Sequence, residues 1–147
     1  SYVGSEDTFN AYRREVERLI QWSWLIAKKP LKTLSRNDIR DYLAFANQPP
    51  LAWIATQNHA RFQIVQGEKI HHPEWRPFVT RISKIQRRMG NSPDKNNYQL
   101  GNKSVQALFA GLSTFFSFLQ QEEYIETNPV AWFDKKIAIF NVNKRKK

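Results

Sequence analysis

Apolar residues recur at helical spacing in several stretches of this chain, and those stretches set the first reading of it. From Phe9 to Ala27, the residues Phe9, Tyr12, Val16, Leu19, Ile20 and Ile26 fall on one face. Asp7 or Thr8 is placed to cap the first turn, Lys28 and Lys29 complement the dipole at the far end, and Pro30 forbids continuation. This predicts a helix of about five turns, with Arg13, Arg14, Glu17 and Arg18 on its polar side. Ser35 and Asp38 stand at capping-box spacing ahead of Ile39, Tyr42, Leu43 and Ala46, which predicts a second, shorter helix ended by Pro49 and Pro50.

Residues 51–74 hold neither period for long and are read as a loop with one short helix. Pro77 suits a first helical position, and Phe78, Ile82, Ile85 and Met89 follow on one face, with Arg81, Lys84 and Arg88 as an adjacent basic stripe. That predicts a third helix, stopped at Gly90 and followed by an exposed loop over residues 91–102. No charge occurs between Lys103 and Glu122, where Val105, Leu108, Phe109, Leu112, Phe115, Phe116 and Leu119 make a broad apolar face. The other side of this fourth helix is small (Ser104, Ala107, Ala110, Gly111, Thr114, Ser117), which lets a helix or a nucleic-acid backbone come close. A last short helix is expected within residues 130–140.

No run predicts a strand ladder, since the one β-rich segment, Phe62 to Val65, is too short to build a sheet. The expected fold is therefore all-α, with four main helices and one or two short extra ones. Its core is expected to include Tyr12, Leu19, Leu43, Leu108, Leu112, Phe115, Phe116 and Leu119.

Size supports one ordinary domain: the chain has 147 residues, 41% of them hydrophobic. Charge changes the picture more. Twenty-three Lys and Arg against thirteen Asp and Glu leave a net +10, which favours a polyanionic partner through counterion release. The excess sits in the middle: residues 1–60 carry eight basic and six acidic groups, residues 61–121 nine and three, and residues 122–147 six and four.

With no cysteine, a disulfide framework, a thiolate metal site and a cysteine nucleophile are excluded. A zinc site would have to draw His59, His71 and His72 together with Glu68 or Glu74, and the two-turn helical ligand spacing is absent. No phosphate loop, nucleophile elbow or kinase signature occurs, so no cofactor, no metal and no catalytic centre is nominated. The uncharged stretch from Ser104 to Gln121 is broken by Ser, Thr, Gln and Gly, and no signal peptide is visible, which leads to the expectation of a cytoplasmic protein without a membrane partner.

Three stretches together resemble the N-terminal core-binding (SAM-like) domain of phage integrases, the tyrosine recombinases. The first contains Thr8, Tyr12, Arg13, Glu15, Arg18, Leu19, Trp22, Pro30-Leu31, Leu34, Asp38-Ile39 and Tyr42. The second is Trp75-Arg76-Pro77-Phe78. The third runs from Lys103-Ser104 through Leu112, Phe115-Phe116 and Phe118-Leu119 to Tyr124-Ile125 and Asn128-Pro129. The chain departs from the family in the roughly twenty residues between Phe78 and Lys103, where relatives have a short connection.

The resemblance implies a DNA-binding, four-helix arm over residues 1–140 and a linker over residues 141–147 leading to a catalytic domain. That domain's Arg-His-Arg pocket and tyrosine nucleophile have no counterpart here: there is no His-x-x-Arg pattern, and Tyr2, Tyr12, Tyr42, Tyr98 and Tyr124 read as packing or loop residues. The implied role is to clamp double-stranded DNA at a recombination site during DNA integration, without catalysis by this chain itself. The full-length protein is expected to act as a tetramer on paired sites. Helix starts do the contacting in such arms, which nominates Arg36, Asn37 and Arg40, then Lys103, Ser104 and Gln106, with Arg13 and Arg14 as further backbone contacts. Asn37 and Gln106 are the side chains that could read base edges.

Plainer roles stand beside these. Arg36 and Arg40 could pair with Asp38 or Asp41, Gln106 could simply be solvated, Arg13 and Arg14 could bridge to Glu17, and Lys144 to Lys147 could be solvated linker. Two other classes also remain open, a helical protein-interaction module with no DNA role and a helix-turn-helix repressor. The first leaves the basic middle segment idle, and the second fits poorly with the wide spacing between helices.

Overall fold

The structure, a computed structural model, describes residues 3–131 and residue 133. Both the helix expected within residues 130–140 and the basic tail Lys144 to Lys147 fall largely or wholly outside them, as does Tyr2. The chain divides into two compact units, one formed by residues 1–47 with 100–147 and the other by residues 48–99.

Unit 1 is helical. Helix α1 (Val3–Trp22) starts well before the predicted cap and runs into a wider π-helical turn, Ser23–Ala27. Lys28 then adopts the left-handed conformation, φ 55°, a common way of ending a helix that lets the Lys28 and Lys29 N–H groups satisfy the Ser23 carbonyl. The Ser23 hydroxyl, fully buried, donates to the carbonyl of Lys29 and fixes the chain's exit. Helix α2 (Arg36–Asn47) opens with the predicted capping box: Asp38 N–H donates to Ser35 Oγ at 3.3 Å and Ser35 N–H donates to Asp38 Oδ2 at 2.8 Å. Trp22 and Tyr42 join the first two helices with ring centroids 5.3 Å apart.

The long apolar helix is α4 (Asn102–Gln121), and it packs on α1. Gly111 explains how closely. A Cβ placed there would lie 3.3 Å from Tyr12 Cα and 3.3 Å from Glu15 Cβ, so the small face of α4 is used at this point by another helix. Past α4, Glu123 takes φ 60° and Tyr124 N–H donates to the Leu119 carbonyl, turning the chain so that Ile125, Pro129 and Val130 become buried. Leu19, Leu43, Leu108, Leu112 and Phe116 are buried as expected, while Tyr12, Phe115 and Leu119 are half-buried.

Glu15 of α1 lies beside Gly111 in the contact between α1 and α4. Glu15 is buried, its Oε1 3.1 Å from Arg18 Nη1, while its Oε2 has no hydrogen-bond partner among the described residues. Burial raises its pKa above 4.5, against the opposing pull of Arg18 and then Arg14. A carboxyl with a raised folded-state pKa favours folding when protonated, so this contribution grows as pH falls from the folded-state value towards 4.5. In urea titrations across that window, Glu15→Gln should remove the gain; an unchanged pH slope in the variant would mean another group produces it.

Unit 2 overturns the expected fold class. The chain is not an all-α SAM-like bundle of four main helices: four strands form two two-stranded sheets within residues 48–99. Strands β1 (Ile54–Ala55) and β4 (Phe78–Val79) pair in parallel, Ile54 opposite Phe78. Strands β2 (Phe62–Val65) and β3 (Glu68–His71) form an antiparallel hairpin. Gln66 and Gly67, at φ 52° and 81°, make a two-residue turn whose twist matches that of paired strands. The run Phe62 to Val65 is therefore long enough once a partner four residues long lies two residues away. The third main helix, predicted from Pro77 to Gly90, does not form at that length. Phe78 is in a strand, buried with the edge of Tyr98 against it, and only α3 (Lys84–Arg88) is helical, capped by the Ser83 hydroxyl. Ile85 and Met89, expected in an apolar stripe, are exposed; the stop at Gly90, φ 87°, is where the sequence puts it. Among the described residues, no helix is long and apolar enough to cross a membrane.

Candidate nucleic-acid interface

The start of α2 is built by the residues that hold it shut from behind. Asp38 is buried and accepts from Lys29 Nζ at 2.8 Å, from Ser35 N–H at 2.8 Å and from the Ser35 hydroxyl at 3.1 Å. Burial alone would push its pKa up, but the Lys29 hydrogen bond and the two from Ser35 outweigh it and hold the carboxyl below its ordinary value. The only acid of this first turn is thus turned inward and neutralised, and the ion pair it makes is with Lys29. Arg36, Asn37 and Arg40 are all exposed on the outside of the same turns. Arg36 and Arg40, four residues apart, share one stripe, with Asn37 beside it.

The start of α4 is simpler. Gly101 is the N-cap and no side chain caps the helix, while Lys103, Ser104 and Gln106 are exposed around its first turn. Backbone N–H groups at such an end favour anions, and Lys103 adds a full positive charge beside them.

Arg13 and Arg14 are placed differently from the prediction. Since α1 begins at Val3, both lie in mid-helix rather than at a helix start, so no terminal N–H groups surround them. Both are exposed, and Arg13 makes the bridge to Glu17, at 3.8 Å, that the plainer reading anticipated. A pair so open to solvent holds Arg13 only weakly.

Unit 2 holds residues to which the sequence pattern assigns no role. His59 Nε2 lies 3.4 Å from Glu74 Oε2, and its ring stacks on that of His72 at 4.6 Å. A cavity of about 300 Å³ adjoins them, lined by His59, Glu74, Arg76 and Lys95 among others. Stacked imidazoles do not aim their nitrogens at a common point, and among the described residues no group of three or more His, Asp or Glu could hold a metal ion. Arg76 Nη1 donates to the carbonyls of Pro73 and Trp75, at 2.8 and 2.7 Å, so this residue of the Trp-Arg-Pro-Phe string ties its own loop together. The basic stripe Arg81, Lys84 and Arg88 does not form as expected, because Arg81 precedes α3.

The hairpin surface carries a second feature of this kind, with Arg61, Phe62, Lys69, His71 and Trp75 in mutual contact. Its sequence signal is the Gln66-Gly67 turn between two four-residue runs. Set against known proteins, the chain matches no family model, no curated protein and no solved structure.

Proposed function

We propose that unit 1 is a duplex DNA-binding module of the kind with which tyrosine recombinases grip a recombination site, and that it contributes binding rather than cleavage. The observation that carries this reading is the polarity of the α2 start: Asp38 is drawn inward onto Ser35 and Lys29, so the exposed side of the turn presents Arg36, Asn37 and Arg40. The exposed Lys103, Ser104 and Gln106 around the uncapped start of α4 add a second patch of the same chemistry. In this role the cations bind phosphates and position the domain, and Asn37 and Gln106 face base edges. Double-stranded DNA is the partner. A tetramer on paired sites and recombination as the context rest on the family resemblance alone.

Fluorescence anisotropy with a labelled duplex at several salt concentrations tests it. Replacing Arg36, Arg40 and Lys103 together by Ala should weaken binding and flatten the dependence of log affinity on log salt, by about 0.9 for each phosphate that is no longer neutralised. The helical signal should be unchanged, since all three side chains are exposed. Replacing Arg81, Lys84 and Arg88 removes the same charge from unit 2 and should cost less. Equal losses from the two triples would show that only overall charge matters. A second reading, a protein-interaction module, draws on the exposed Trp24, Leu25 and Ile26; absence of duplex binding by the unaltered chain at low salt would favour it.

A further inference from the structure

Unit 2 carries eight Lys and Arg against three Asp and Glu, a net +5 that is half of the chain's formal charge, yet none of the residues assigned to duplex contact lies in it. Its hairpin shows where part of that charge is organised. The register places Phe62 opposite His71 and Ile64 opposite Lys69, so these four side chains share one face. Glu68, the hairpin's only carboxylate, stands opposite Val65 on the other face.

On the first face, cations and rings alternate. Lys69 Nζ lies 4.9 Å from the centre of the Phe62 ring, and the Arg61 guanidinium carbon lies 5.3 Å from the Phe62 ring and 5.4 Å from that of Trp75. His71 meets Phe62 and Trp75 edge-on, with centroids 6.2 and 5.8 Å away. Apolar surface is left open here: Phe62 is 42% exposed and Ile64 76%.

We propose that this face binds an unpaired nucleic-acid strand, with Phe62 as the platform on which a base stacks and Lys69 as a phosphate ligand. Arg61, in contact with both rings, is a positioning residue that also adds charge. The chemistry selects an unpaired strand because only there are base faces free to meet a ring, whereas a duplex offers phosphates outside and keeps its bases stacked within. The attraction of an exposed ammonium for Phe62 is weaker than a base stack, so an incoming base displaces Lys69 from the ring and leaves it at the strand's backbone. The sign of the face, with its carboxylate on the opposite side, matches that backbone. This site does not depend on the duplex reading of unit 1.

The test uses the whole chain with a labelled oligothymidylate, an oligouridylate of equal length, a duplex and a polyglutamate peptide. Phe62→Leu keeps apolar bulk at an exposed strand position and removes the ring. It should weaken binding of the single strands roughly five- to hundredfold, the loss that removal of one stacked base produces, and leave duplex affinity unchanged. Lys69→Ala should reduce the salt slope for the single strand by about 0.7. Lys69→Glu, on an exposed side chain, tests the same face should the ring variant fail to fold. The Arg36, Arg40 and Lys103 triple variant should show the converse pattern, so failure of one site is distinguishable from failure of the other. Binding to either oligonucleotide supports the site. Single-strand affinity unmoved by the Phe62 and Lys69 variants, equal losses on duplex, or polyglutamate bound as tightly as oligothymidylate would overturn it.

Discussion

Replacing Phe116 by Ala is expected to lower the free energy of unfolding by about 3–5 kcal/mol, the range for truncating a buried aromatic. Phe116 is fully buried on α4, on the side that also carries Leu108, Leu112 and Phe109, and its ring lies 5.4 Å from that of Phe115. The loss has two parts, the transfer energy of the ring and the cavity left behind. The cavity will not collapse easily, because the close approach of Gly111 and Tyr12 already sets the spacing of α1 and α4 at its minimum. Phe118, two residues on and 55% exposed, serves as the comparison, with a change within about 0.5 kcal/mol on truncation. Urea unfolding followed by far-UV circular dichroism measures both. A Phe116→Ala cost no larger than that of Phe118→Ala would contradict the assignment of this face as the core.

The second large effect is expected at Asp38. Asp38→Ala leaves the bond from its own backbone N–H to Ser35 Oγ in place, but removes the carboxylate half of the capping box: the bonds it accepts from the Ser35 N–H and hydroxyl, and its ion pair with Lys29. Hydrogen bonds to a charged group contribute roughly 1.5–3 kcal/mol, which sets the expected cost at about 2–3 kcal/mol. Lys29 is about half exposed, its side chain 48% accessible, so water screens its share. The effect depends on pH. A carboxyl held below its ordinary value stabilises the fold when ionised, so the contribution is complete above the unfolded-state value near 3.8 and is lost as pH falls through the lower folded-state value. The wild-type and Asp38→Ala stabilities should therefore converge on acidification through that range. Parallel pH profiles would show that the carboxylate has no role beyond its shape.

The elements legible in the sequence are those whose signal is local. Ser35 and Asp38 announce the start of α2 within four residues, and the spacing of Leu108, Leu112 and Phe116 announces a buried helix face, because burial against one neighbour imposes the helical period. Unit 2 lacks both kinds of signal. Residues Phe62, Ile64, Val65 and Ile70 are all exposed, so no buried face imposes an alternation on the hairpin. The pairing of Ile54 with Phe78 joins residues far apart in sequence, and two-residue strands carry no period. Phe78, Ile82, Ile85 and Met89 imitate a helical stripe, but strand pairing at Phe78 and the cap at Ser83 prevail. At the candidate interface, exposure of Arg36, Asn37, Arg40, Lys103, Ser104 and Gln106 was readable as the complement of apolar stripes. The capture of Asp38 by Lys29 was not, because it joins residues nine positions apart across the connection that follows the left-handed Lys28.

The division of the chain into a continuous unit and one made of two separated segments sets the order in which the ribosome can deliver it. Helix α1 is made ahead of residues 48–99, but the helix it packs on, α4, follows only after all of them. At roughly 5–20 residues per second, the wait is on the order of ten seconds. Throughout it, the side of α1 around Tyr12 and Glu15 lacks the surface that Gly111 brings to it. Unit 2 has no such delay, since its strand partners all lie within one uninterrupted stretch and can pair as soon as residue 79 has left the exit tunnel. Nascent α1 is thus the segment with greatest need of a chaperone, and a slow stretch of codons ahead of residue 100 would prolong that need.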